Sequence, residues 1–152
     1  MAPPPEGTPQ VRTFRMRRID RIGDALFRGL ARLGIGPAWS LTTRGRRTGL
    51  PRIVPVIPVD SGGQQWLVAP YGEVDWVRNA RVAGQVQLSR GRITRICRVR
   101  EASPAEAGPV LKRYVRIATA TRPYFAAPPG APVAAFVAEA GRHPVFALTL
   151  VA

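Results

Sequence analysis

The chain contains one cysteine and one histidine, and Lys112 is its only lysine. Cys97 has no partner for an intramolecular disulfide, and a thiolate metal cage cannot be built from one thiol. His143, directly before Pro144, lacks the companions that a metal site or a histidine-activated nucleophile would need. It reads as a hydrogen-bonded structural residue. No apolar run approaches the ~20 residues of a membrane span, and no signal peptide is visible. The single thiol and the missing signal predict a cytoplasmic protein. Acids are scarce too: 9 Asp+Glu stand against 23 Lys+Arg, a formal charge of +14.

The rest of the composition is that of a folding chain. At 152 residues, 45 % apolar and 21 % charged, it is long enough for one domain with a hydrophobic core. The positive charge is almost all arginine, whose planar fork grips phosphate or carboxylate through two parallel bonds where lysine offers a point charge. A GC-rich genome produces the same bias, so the charge points to an anionic partner only where it clusters.

Residues 1–12 begin "MAPPPEGTPQ" and are Pro-rich, which predicts a disordered tail, leaving 13–152 as a single domain. From 17 to 33, Ile19, Ile22, Leu26, Leu30 and Leu33 form a narrow apolar stripe at helical spacing. Arg17, Arg18, Arg21, Arg28 and Arg32 take the opposite face. That face is either the solvated back of a packed helix or a peripheral contact with anionic lipid. "GIGPA" ends this helix, and strand periodicity follows. "WSLTT" (39–43), "RIVPVIPV" (52–59) and "QQWLVA" (64–69) read as strands. Pro55 and Pro58 place the middle strand at an edge, at a bulge, or beside a ligand.

A short helix is expected over 73–82. A hairpin over 84–101 turns at Arg90-Gly91, and the three-residue spacing of Ile93, Ile96 and Val99 suggests a bulge in its second strand. Ser103, Pro104 and Glu106 mark a capped helix start. A loop, a short helix in "VAAFVAEAG" and a closing strand in "HPVFALTLV" complete the chain. Strands in hairpins with helices outside make an α+β domain built on an antiparallel barrel.

Charge clusters most tightly in "LTTRGRRTGLPR", residues 41–52. Its glycines permit positive φ, so successive N–H groups can turn inward as an anion-binding nest. Thr48 adds a hydroxyl, and Arg46, Arg47 and Arg52 add forks. It is not a nucleotide P-loop, because three residues rather than four separate its glycines and Leu50-Pro51 follow where Lys-Ser/Thr is needed. A solvated basic turn is the bland alternative.

That turn, followed by "WLVAPYGEVDWVRN", resembles the deazaflavin (F420)-dependent nitroreductase family over about residues 39–100. The resemblance implies a split antiparallel β-barrel of the FMN-binding-split-barrel type with flanking helices. It also implies coenzyme F420 in its reduced form as cofactor, with FMN the alternative. By position, Arg46, Arg47, Thr48 and Gly49 fall where the family grips the coenzyme's phosphate and acidic tail. Arg52, Pro55, Val56 and Ile57 fall along the deazaflavin ring. Val68, Ala69, Pro70 and Tyr71 match a strand end that lets backbone approach the ring. Asp75, Trp76, Val77, Arg78 and Asn79 match the segment on the coenzyme's other side, and Tyr124 matches a substrate-pocket tyrosine. "APYGEVDW" departs from the family's longer Ala-Ser-x-Gly-Gly loop, so the substrate side differs.

The implied activity is hydride transfer to a small organic acceptor: a quinone, an enone or a nitro compound. Tyr71 and Tyr124 are the candidate catalytic residues, as donors of the accompanying proton; Tyr114 is a third tyrosine of that kind, and each is otherwise an ordinary boundary residue. A homodimer is expected from the resemblance. Two other readings stay open, a basic nucleic-acid-binding module and a barrel that carries a lipid or cofactor without turnover. Against the former, the aromatics do not interleave with the arginines as stacking platforms would, and no nucleic-acid partner is expected.

Overall fold

The computed structural model describes residues 37–152. The expected tail over 1–12 and the basic helix over 17–33 lie outside the described residues.

Seven antiparallel strands form one sheet: β1 (Trp39–Arg44), β2 (Pro51–Val56), β3 (Val59–Ser61), β4 (Gln64–Val68), β5 (Gln85–Arg90), β6 (Ile93–Glu101) and β7 (Val145–Leu150). Their order is β2-β1-β5-β6-β7-β4-β3. Among the described residues, three α-helices accompany them, α1 (Asp75–Ala83), α2 (Pro104–Ile117) and α3 (Val133–Glu139), with 3-10 turns at Thr119–Tyr124 and Ala140–Arg142.

The run 52–59, expected as one strand, is two. It breaks at Ile57-Pro58, and the two pieces occupy opposite edges of the sheet. Two residues cannot bridge a flat seven-stranded sheet, whose strands lie ~4.8 Å apart. The sheet therefore curls until its edges approach, and the chain itself closes the corner where hydrogen bonds do not. This is the split barrel. Pro55 sits on an edge strand, where its missing N–H is tolerated.

The bulge expected in β6 is absent. Pairing with β5 runs in unbroken register from Gln85↔Arg98 to Arg90↔Ile93, and pairing with β7 is equally regular. Plain alternation explains the sequence instead: Cys97 is buried on the inner face, and the arginines at 92, 98 and 100 are exposed. Arg95 lays its guanidinium over Trp39, 5.2 Å from the ring centroid.

Two apolar clusters occupy the two sides of the sheet. Leu41, Leu67, Val77, Leu88 and Phe146 pack inside the barrel under α1. Val59, Val110, Leu111, Val115 and Phe136 pack between the β3–β4 edge and α2 and α3. The start of α2 has the expected capping box, in which the Ser103 hydroxyl accepts from Glu106 N at 3.3 Å and the Glu106 carboxylate accepts from Ser103 N at 3.1 Å. Arg100 also pairs with Glu106, and those bonds hold its carboxyl down to about 2. Arg81 on α1 bridges Glu73 and Glu101, tying that helix to the end of β6.

Candidate functional site

The basic turn is held in shape by its own backbone. Gly45 N donates to Leu50 O at 2.8 Å, Gly49 N donates to Gly45 O at 2.8 Å, and Leu50 N donates to Thr48 Oγ1 at 3.2 Å. Glycine is required at both ends for different reasons. A Cβ at position 45 would lie 2.8 Å from Thr48 Oγ1 and 3.0 Å from Leu50 O, and Gly49 takes φ of +71°. The expected nest is thereby largely used up, since these N–H groups face acceptors within the turn. An anion would meet guanidinium groups here.

One of those groups is fixed from behind. Asn79, buried on α1, accepts from Arg46 N at 3.1 Å and from Arg46 Nη1 at 2.9 Å, and its amide donates to Thr43 Oγ1 at 3.3 Å. Asn79, expected beside a cofactor, lines the cleft and also locks turn and helix together. Asp75, one helical turn earlier, lies 3.4 Å from Arg46 Nη1 and is largely exposed. It balances the guanidinium weakly, because an exposed pair is worth at most ~1 kcal/mol.

Beside this turn opens a cleft of about 800 Å³. Arg44, Arg46, Arg47, Thr48 and Gly49 form one wall, and Asn79, Val82 and Ala83 of α1 form another. Its floor includes Thr42, Gln87 and Ile96, which face one another in register across β1, β5 and β6. Sequence reasoning missed the floor, because no local pattern announces which residues a sheet will align. The remaining expected residues scatter. Val56, Val68, Ala69, Trp76 and Val77 are buried in the two cores. Trp76 packs near Phe146, with ring centroids 5.8 Å apart. Arg52 and Arg78 are exposed outside the cleft lining, and Pro55 is half-buried on β2.

A second constellation lies past the end of β4. Tyr71 and Tyr124, 53 positions apart in the chain, meet edge to face with ring centroids 4.7 Å apart. Neither lines the arginine cleft. Ile57 packs against the same apolar cluster as Tyr124. Tyr114 lies deeper in that cluster, and burial drives its phenol far above the usual range, so it stays protonated. Next to the pair, His143 is buried with Glu139, and burial lowers the imidazole below its ordinary value. The histidine is satisfied and structural, as its isolation in the sequence suggested. Cys97 is buried, its thiol pushed up by desolvation, and does not line the cleft. Among the described residues no group of His, Cys, Asp and Glu could hold a metal ion.

Residues 17–128 match the model of a family described as F420H(2)-dependent quinone reductase. No curated protein sequence matches the chain. Among solved structures, a protein of unknown function from Agrobacterium tumefaciens is 14 % identical with a TM-score of 0.56, over 83 % of this chain and 54 % of that one. A structure described as a domain-swapped dimer is 19 % identical with a TM-score of 0.52, over 88 % of this chain and all of that one. An F420-H2 dependent reductase is 24 % identical with a TM-score of 0.46, over 74 % of this chain and 94 % of that one. At these identities the first two structures, with TM-scores above 0.5, speak for the fold alone.

Proposed function

The chain belongs to the F420H(2)-dependent quinone reductase family and is an oxidoreductase that works with coenzyme F420; from that premise we propose which residues hold the coenzyme and what accepts its hydride. The arginine cleft takes the coenzyme's phosphate and acidic tail. The observation that carries this is Arg46, clamped by buried Asn79 above an open cleft of about 800 Å³ with Arg44 and Arg47 beside it. A guanidinium held in place before the ligand arrives loses little entropy on binding, which favours affinity. Thr42, Gln87 and Ile96 give the ligand a floor of mixed polarity.

The reduced deazaflavin supplies a hydride from a ring carbon. The acceptor we propose is a quinone. When hydride adds to it, one oxygen must also gain a proton. A phenol O–H of Tyr71 or Tyr124 gives that proton, and solvent restores it at Tyr71, which is 39 % exposed. Positioned proton donors contribute ~10²–10⁴-fold to such steps. The shortage of His, Cys and Lys fits a protein that leaves the redox chemistry to its coenzyme.

We also propose a homodimer. Leu50 and Ile53, exposed at 60 % and 39 % along the β2 edge, support it; light scattering on the purified chain reads the assembly directly. Among the described residues no helix is long and apolar enough to cross a membrane. Cytoplasmic placement, with peripheral membrane contact through residues 17–33, stands as part of the proposal and is read by co-sedimentation with anionic vesicles.

Titrating the protein into coenzyme F420, with FMN in parallel, tests the cleft. Saturable quenching of F420 fluorescence is expected, weakened about tenfold by Arg47→Ala, the scale of one screened charge-assisted bond. Menadione should oxidise the reduced coenzyme when the protein is present. Unchanged fluorescence at micromolar protein would sink the cleft assignment.

A further inference from the structure

We propose that the buried His143–Glu139 pair is a positioning device that keeps the rings of Tyr71 and Tyr124 together. The inference rests on the reading of those tyrosines as proton donors.

The pair is the meeting point of the two loops that carry them. His143 and Glu139 are both only 3 % exposed, and His143 Nε2 lies 2.9 Å from Glu139 Oε1. His143 Nδ1 lies 2.9 Å from the carbonyl oxygen of Pro70, the residue before Tyr71. On the other side, Glu139 accepts from Ala126 N at 3.2 Å and from Ala127 N at 2.8 Å, two and three residues after Tyr124. Phe125, bonded to Tyr124, stacks on the imidazole at 4.0 Å with planes 20° apart. The 69–72 loop is held close from the same direction: Ala69 N donates to Pro144 O at 2.8 Å. A Cβ on Gly72 would come within 3.3 Å of Arg142 O.

The chemistry of the pair makes this rigid. A carbonyl oxygen faces Nδ1, so Nδ1 carries a proton and donates it. A carboxylate oxygen faces Nε2, so a second proton must sit in that 2.9 Å gap. Arg142 is the other charged group acting on the ring. Burying such a network is costly, and once every member is satisfied it has one low-energy geometry. None of its members lines the arginine cleft. Its removal should therefore disturb turnover and leave coenzyme binding alone.

The test uses the full chain. His143→Phe keeps a ring against Phe125 and loses both polar contacts; Glu139→Ala removes the hub, and Glu139→Gln can still donate to Nε2 and accept from Ala127 N. At saturating coenzyme F420, with menadione as acceptor, kcat should fall at least tenfold in H143F and E139A. The Kd for F420 should stay within twofold, and E139Q should retain kcat within threefold of the parent. In a Tyr71→Phe background, H143F should cost less than a further twofold. Without coenzyme, the upfield-shifted ring protons of Tyr71 and Tyr124 in the NMR spectrum should move toward free-tyrosine positions in H143F. A folded H143F with parental kcat, or with unmoved tyrosine shifts, overturns the positioning role. If H143F and E139A do not fold, Phe125→Leu decides: a threefold fall in kcat at constant Kd supports it, and parental kcat overturns it. Should Y71F and Y124F keep full turnover, the proton-donor reading falls and takes this role with it. Should they lose turnover while H143F keeps it, the positioning role falls alone.

Discussion

The arginine end and the tyrosine end of the molecule are built on opposite plans. The arginine end is local in sequence and open. Nine consecutive residues carry four guanidinium groups, the backbone bonds to itself, and one buried amide from α1 holds it down. The tyrosine end is assembled from three distant segments around a buried hydrogen-bonded hub with both ring nitrogens engaged. An open basic cleft suits a ligand recognised by charge, since solvent can leave and screening is tolerable. A proton donor needs its oxygen in one place, and only packed, desolvated surroundings ensure that. Under the proposed function, the two ends divide the work into holding and reacting.

If that division is right, breaking the clamp should harm the arginine end most. Asn79→Ala removes the acceptor of two Arg46 bonds from a buried position, and stability should drop by about 2–3 kcal/mol. Thermal unfolding would register this, and F420 affinity should weaken with it because Arg46 is released. If affinity survives in a folded N79A, the preset guanidinium is not what grips the ligand.

Salt separates the two ends with a moderate effect. Raising ionic strength from ~0.05 to ~0.5 M should weaken F420 binding several-fold, because exposed charges are screened beyond ~5–10 Å. Turnover at saturating coenzyme should hardly change, since the tyrosine phenols are uncharged and the hub that positions them is buried. A matching fall in kcat would erase the distinction.

The smallest effect concerns the scaffold that both ends share. Arg100 and the Ser103 backbone hold the Glu106 carboxyl at about 2, below its unfolded value of 4.5. A depressed carboxyl stabilises the folded state above pH 4.5 and loses that contribution as pH falls toward 2. Glu106→Gln should therefore lower stability slightly at neutral pH, where the contribution is fully present, and flatten the acid limb so that variant and parent converge toward pH 2. Glu106 is exposed, so the change should be slight. A parental acid limb in E106Q would show that the cap is screened into irrelevance.

Most of the arginine end was legible in the residues. The turn, its glycines, the α1 segment and the capped start of α2 follow from local rules, because turns and caps are decided by neighbours a few residues apart. The fold class was legible too, through strand periodicity and the family resemblance. Three features were not. The strand expected over 52–59 gave no sign that its halves would lie at opposite edges, since proline marks a break but not where the chain goes afterwards. The bulge expected in β6 came from reading apolar spacing without knowing the partner strands. Glu139 and His143 stand four apart, a helical spacing that hints at contact, yet nothing local says that Pro70 and Ala127 would join them.

By itself, then, the chain's order of residues determined a basic glycine turn, an α+β barrel and an inventory of one cysteine and one histidine. Each depends on composition or on short-range sterics. Only the tertiary structure decided that Asn79 is a clamp, that Thr42, Gln87 and Ile96 share a floor, and that Tyr71 meets Tyr124. Those outcomes depend on the curl of the sheet and on which buried polar groups must find partners, and both are settled by the whole packed chain at once.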